Sequence, residues 1–364
     1  MPDPISYLKA SVAAVFASAM IVLVLRLVLR NSVHSIAAVI GVLAVGAGAV
    51  TGYGVLQFSW TWPPANALNR FLMIVLPSTF VVELLAAVFG RASTRILTNS
   101  ATKGSGSRYA LGLRLTLYAS VGRILLHDSV YLDDVGSGNP DAWTFAQALA
   151  VFGGSFAGLI AAWSLLCRLS ERAAAGSITV SLALVIQCTG LATMMAGYIK
   201  GGAAAIPLAA ALAGTTLAFP LLANCFGGLD QKHLQGVIGI GVIGLFSLLC
   251  IGHYFGQLTG LRAIVLLLTP LLCWISEIPG LRSRPDWQKS GVRLTAVTMM
   301  LSAVLFFAKQ DFDRKMAPLL VDAADMAKII RVRFAVPSTD AWNSGESHYK
   351  QRTDHRLISR TASR

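Results

Sequence analysis

Nine residues stand out against an apolar chain, and their types and spacing set the chemistry open to it. Glu83 lies inside the apolar run LPSTFVVELLAAVFG. Arg114, Thr116, Ser120, Arg123 and His127 fall in one further run, Gly112–Asp134 (GLRLTLYASVGRILLHDSVYLDD), which closes on Asp128, Asp133 and Asp134. A charge at the centre of a membrane helix costs at least ~2.5–3.5 kcal/mol on the insertion scale, so each needs a partner or water. Thr116, Ser120, Arg123 and His127 are spaced by four, three and four residues and so form one helical stripe. Along a polar cavity this stripe would offer donors to an anionic solute. It suits snorkelling equally well, because Arg123 is about 6 Å from the outer end of its segment and within reach of Asp128 or the Asp133–Asp134 pair.

Arg114 falls nine residues before Arg123, on roughly the opposite face of the helix. Glu83 is about 10 Å from the inner end of its segment, and Arg114 about 6–8 Å from the same end of the next one. If the two segments are antiparallel neighbours, the carboxylate and the guanidinium can pair. Such a pair is either a structural clamp or a coupling site for a proton or ion. Loop 128–141 carries Asp128, Asp133, Asp134 and Asp141. Oxygen-rich loops can hold Ca²⁺ or Mg²⁺, which makes Asp128, Asp133 and Asp134 the candidate metal ligands. The loop lacks EF-hand spacing and a closing Glu, so a solvated acidic loop is the plainer reading.

The elements that carry these residues follow from composition. The chain is 55% hydrophobic and only 13% charged, with a mean hydropathy of +0.65. Soluble domains carry about 25% charged residues. Such a deficit means lipid as solvent, where only helices and closed barrels satisfy the backbone. The apolar runs are roughly 20 residues long and continuous, the helix length for a ~30 Å core. The expected fold is an all-α polytopic integral membrane protein, a bundle of about ten transmembrane helices in residues 1–308. The spans fall at about 10–29, 33–55, 71–90, 109–127, 143–167, 177–198, 203–224, 235–255, 261–278 and 292–308. The first continues past Ala17-Ser18-Ala19 to Leu25, so it is expected to be retained rather than cleaved as a secretory signal. Gly48/Gly52 and Gly154/Gly158 form GxxxG pairs that let helix backbones approach. Lys200-Gly201-Gly202 is expected to turn the sixth span into the seventh. Residues 309–364 form a basic extramembrane tail with an amphipathic helix at 312–334 suited to the interface and a polar, disordered end; Ile330–Phe334 could instead be a strand.

Basic residues favour the cytoplasmic side. Taken alternately, one set of loops holds Arg26, Arg30, Arg91, Arg95, Lys103, Arg108, Arg168, Arg172, Lys232, Arg282, Arg284, Lys289 and Arg293. The other, tail excluded, holds Lys9, Arg70, Lys200 and Arg262 and includes the acidic loop. This places both termini outside, in what is expected to be a bacterial inner membrane. The net charge of +13 sits beside apolar runs and in the tail, where it meets anionic lipid headgroups; no nucleic-acid partner is expected. The five cysteines lie in or at the ends of apolar runs without a CxxC, so no disulfide, metal site or cofactor follows. No phosphate-binding G-x-x-x-x-G-K-[ST] and no G-x-S-x-G is present.

Three functions remain. A transporter of a small or anionic solute, through a polar cavity between helices, gains from Pro77, Pro207, Pro220 and Pro270 within spans and from Glu83. A non-catalytic scaffold or subunit of a membrane complex, with a membrane-protein partner or a second copy, gains from the lack of motifs. An enzyme modifying lipid or polyprenyl carriers gains only the acidic loop. The reading leans away from an enzyme. A dual topology reporter fused at Gly136 is expected to score as external; a cytoplasmic signal there would remove the ten-span arrangement.

Overall fold

The computed structural model describes residues 4–28, 33–58, 60–96, 105–132, 142–172, 175–226, 234–282 and 284–333. All of its regular structure is helical: α1 (Pro4–Val28), α2 (Val33–Val55), α3 (Ala67–Arg70) continuing through a π-helical turn (Phe71–Val75) into α4 (Leu76–Ile96), α5 (Ser105–Leu126), α6 (Phe145–Arg172), α7 (Ala175–Met195), α8 (Ile199–Ala203), α9 (Ala205–Phe226), α10 (Gln235–Tyr254), α11 (Gly260–Leu268) running into a 3₁₀ stretch (Thr269–Glu277), α12 (Pro279–Arg282) and α13 (Asp286–Arg333). Among the described residues nine helices are long and apolar enough to cross a membrane. The chain is an all-α polytopic membrane bundle.

Burial follows side-chain size. In α1 the inner stripe is Ala10, Ala14, Ser18, Val22 and Arg26 at four-residue spacing, while Leu8, Val12, Phe16 and Met20 point outward. An outer face of large apolar side chains is stable only where the solvent is hydrocarbon. Gly48 and Gly52 of α2 meet the inner stripe. A Cβ at Gly48 would lie 2.7 Å from the Ala14 carbonyl oxygen, and one at Gly52 would lie 2.7 Å from Pro207 Cβ of α9. Lacking a Cβ, the glycines bring α1, α2 and α9 together. Gly154 and Gly158 behave differently: nothing lies within 4 Å of their Cβ positions, so this pair faces open space along α6. Helix α10 is the centre of the bundle. Residues Gly236–Leu249 are all buried, whichever way they face.

Contacts between helix ends sort into two opposite faces. On one, Tyr53 donates to the Ala204 carbonyl (2.9 Å), joining the end of α2 to the start of α9. Arg70 meets Asp128 (3.0 Å), joining α3 to the turn after α5. Gln257 N–H donates to the Ala196 carbonyl (3.1 Å) beyond α7 and α10, and Arg262 of α11 pairs with Asp311 of α13 (2.5 Å). On the other face, Gln235 at the start of α10 donates to Glu171 at the end of α6 (3.3 Å). There Arg293 donates to Ser276 (2.7 Å) and Ser177 (2.9 Å), binding α13 and α7 to the end of the 3₁₀ stretch. Arg172, Arg284 and Lys289 belong to this second face, which is the basic one. Successive helix ends therefore alternate between faces.

Three details differ from the sequence reading. Lys200–Gly202 lies within the short helix α8; the turn is at Ala196–Tyr198, where Gly197 takes φ +89°. That left-handed conformation favours a residue without a Cβ. Residues 292–308 and 312–334 were expected as separate elements; both are helical, within the range Asp286–Arg333. The expected span 261–278 is only partly α-helical, because Pro270 opens the 3₁₀ stretch that follows α11. The polar end beyond Arg333 falls outside the described residues.

Overpacking a close contact of this kind costs about 1–3 kcal/mol. Gly48→Leu is therefore expected to lower the melting temperature of the detergent-purified protein by several degrees. Gly153→Leu, whose Cβ position is open, is expected to leave it unchanged.

Candidate functional site

The site is built where α4, α5, α6 and α10 meet. Glu83, two turns into α4, has no exposed surface, and the side chain of Arg114 on α5 is 16% exposed. Arg114 Nε donates to Oε1 of Glu83 at 2.9 Å and Nη2 donates to Oε2 at 2.5 Å, a two-pronged pair. The fork geometry of the guanidinium fits a carboxylate in this way and adds direction to charge. Thirteen residues before Glu83, Arg70 reaches the carbonyl of His127 and the carboxylate of Asp128. The two contacts show that α5 runs antiparallel to α3–α4 for about 20 Å. The segment that carries most of the polar residues thus lies alongside a span for much of the membrane's depth.

Space for the Glu83 carboxylate comes from α10. A Cβ at Gly239 would overlap Oε1 of Glu83, and one at Gly236 would lie 3.6 Å from Oε2. On the other side Trp163 of α6 stacks on the guanidinium, with Arg114 Cζ 5.2 Å from the ring centre. Tyr118, one turn beyond Arg114, packs edge-on against Trp163 at 6.0 Å. The Tyr118 hydroxyl and the Trp163 ring N–H are both buried without a hydrogen-bond partner. An unmet buried donor costs about 1–3 kcal/mol. Two of them beside one ion pair leave the site short of acceptors.

The stripe read from the sequence lies elsewhere. Thr116, Arg123 and His127 are exposed and Ser120 is half-buried, all on the outward side of α5. Thr116 donates to the Gly112 carbonyl and Ser120 to the Leu117 carbonyl, the local bonds of hydroxyls in a helix. The inward side is Arg114, Tyr118, Val121 and Leu125. Among the described candidate residues, Glu83 and Arg114 are brought together from separate helices, while the chain neighbours His127 and Asp128 touch each other. Asp128 binds Arg70 rather than Arg123, and its carboxylate also contacts Nδ1 of His127 at 2.8 Å. Asp133 and Asp134 lie outside the described residues. Among the described residues no three His, Cys, Asp or Glu side chains are grouped to hold a metal.

The sequence reading missed Tyr118, Trp163 and Gly239. Tyr118 carried a signal, since it follows Arg114 by one helical turn. Trp163 and Gly239 are 49 and 125 residues from Arg114 in the chain, and only the packing of α6 and α10 brings them near. An open groove of about 370 Å³ lies between α6, α10 and α11 beside Gly154, Gly158 and His253, and neither Glu83 nor Arg114 lines it.

Fold and site together define a multi-pass, all-α membrane protein with a buried carboxylate–guanidinium pair at the meeting of four helices. The chain matches no known family model, and no curated protein is significantly similar to it.

Removing one member of a buried pair strands the other charge and costs about 3–5 kcal/mol, whereas removing both is nearly neutral. Glu83→Gln is expected to reduce the yield of folded protein sharply. Adding Arg114→Gln should restore it to near the parent level, as measured by size-exclusion chromatography of the detergent extract.

Proposed function

We propose that this protein is a proton-coupled secondary transporter of a small solute, with the Glu83–Arg114 pair as its coupling site. The reading rests on Glu83, a carboxylate with no exposed surface inside a membrane span. Ionisable groups at this depth are costly and mark ion or substrate pathways. Protonation of Glu83 would remove the charge that holds Arg114, leaving the guanidinium to a different partner. The pair thereby links proton binding to a change of contacts between α4 and α5.

Irregular helices support the reading. The π-helical turn Phe71–Val75 and Pro77 lie six residues or more before Glu83. Pro220 lies inside α9, and Thr269–Glu277 is 3₁₀. Broken or strained helix turns are where spans bend. In this proposal the basic face lies in the cytoplasm of a bacterial inner membrane, with α5 as a tenth crossing and the start of α1 outside, on the tendency of basic residues to stay cytoplasmic.

Proteoliposomes enclosing a pH-sensitive dye test this. Gradients of small carboxylates, phosphates, amino acids, sugars and organic cations would be imposed in turn. At least one is expected to drive proton movement, and the folded Glu83→Gln/Arg114→Gln double variant should lose it by about tenfold or more. Wild-type rates in that variant would discard the coupling role. No solute-driven proton movement at all, with Glu83→Gln merely unstable, would make the pair a clamp in a scaffold.

A further inference from the structure

We infer that the solute is a small carboxylate, and that Glu83 occupies its place on Arg114 until protonated. The inference rests on the transporter reading for its purpose and on the site's chemistry for its content. The groups gathered around the pair are donors. Arg114 presents a guanidinium, of which two N–H groups bind Glu83. The Tyr118 hydroxyl and the Trp163 ring N–H have no partner, and both atoms are sealed from solvent. Tyr118 itself is 2% exposed. The Trp163 ring touches both neighbours, so the three side chains that carry these donors belong to one cluster. A site rich in donors and poor in acceptors calls for an acceptor ligand, and next to a guanidinium that ligand is an anion.

The shape of the anion is given by what already sits there. A carboxylate, that of Glu83, lies in the guanidinium fork, in the space left by the missing side chain of Gly239. A free carboxylate of similar size can make the same two bonds, and on this inference it also accepts from the Tyr118 hydroxyl and the Trp163 ring N–H. It cannot do so while Glu83 is ionised, because two carboxylates would share one guanidinium in a low dielectric. With a proton on Glu83, its side chain is neutral and the fork is released. The titratable groups around Glu83 are Arg114 and Tyr118 from α5 and Cys167 from α6. Gly236 and Gly239 of α10 approach the carboxylate and bring no charge. One proton therefore enters for each anion bound, and the loaded site keeps the net charge of the empty one.

The test measures binding, not flux, on the full-length protein in nanodiscs with sodium acetate as probe and sodium chloride as the control. Calorimetry in two buffers of different ionisation heat counts protons. One proton is expected per acetate bound, and the affinity should rise about tenfold for each unit of falling pH above the titration of Glu83. Tyr118→Phe, which keeps the ring, should weaken binding about tenfold or more through loss of a bond to a charged ligand. Glu83→Gln should bind acetate without proton uptake, and acetate should raise its melting temperature more than that of the parent. Chloride, unable to bridge the fork, should do neither.

Acetate binding that ignores pH, that is unchanged in Tyr118→Phe, or that is no stronger than chloride would overturn the inference and leave the orphaned donors to buried water. Absence of rescue in Glu83→Gln would do the same. A proton-coupled flux of a sugar or cation alongside such results would retain the transporter and remove the carboxylate. Acetate binding as described with no flux would retain the site and remove the transporter.

Discussion

The constraint that governs this molecule is that hydrocarbon does not solvate charge. Beyond Lys9 near its start, the large exposed side chains of α1 are apolar, and the charged groups described below are held in specific company. Glu83 and Arg114 form a two-pronged pair. Arg293, almost fully buried, is distributed over Ser177, Ser276 and Glu277. Arg172 lies over the ring of Trp274. Each of these contacts joins separate helices, so the need to satisfy a charge also fixes how helices lie together. The Glu83–Arg114 pair sets the register of α4 against α5, and Arg293 ties α13 to α7.

Small residues supply the second means of assembly. Between helices in lipid there is little hydrophobic driving force, and close packing takes its place. Gly48 and Gly52 let α2 reach the backbone of α1, while Gly239 admits the Glu83 carboxylate against α10. The same residue type therefore serves packing at one place and polar chemistry at another. Gly154 and Gly158 do neither within this chain; they border an open groove. A sequence motif for helix association states that a backbone can be approached, and leaves open what approaches it.

The site joins these two features. An ion pair by itself is compatible with a clamp. Two unmet donors lie beside this one and irregular helix turns precede it, although unmet buried polar atoms also occur elsewhere among the described residues, at Thr189, Thr193 and Trp274 among others. Buried donors without acceptors are uncommon in folded proteins, because each carries a desolvation cost with no bond to offset it. Here two of them adjoin a buried carboxylate–guanidinium pair that joins α4 to α5.

Much of this was set by the sequence. The charge deficit and the roughly 20-residue apolar runs required membrane helices, since lipid leaves no other way to satisfy the backbone. The spacing of Glu83 and Arg114 from their segment ends was enough to suggest that they pair, because helix rise is constant and neighbouring spans are antiparallel. Helical phase likewise put Arg114 opposite the Thr116–His127 stripe. Phase could not say which of the two sides faced inward. That depends on the neighbours of α5, and α6 and α10, which supply them, are remote in sequence. For the same reason Trp163 and Gly239 entered the site only with the tertiary structure, and Arg70, rather than the nearer Arg123, became the partner of Asp128. Local sequence determines how far along a helix a residue stands and on which side. Which side is buried, and against what, is decided by the packing of the whole bundle.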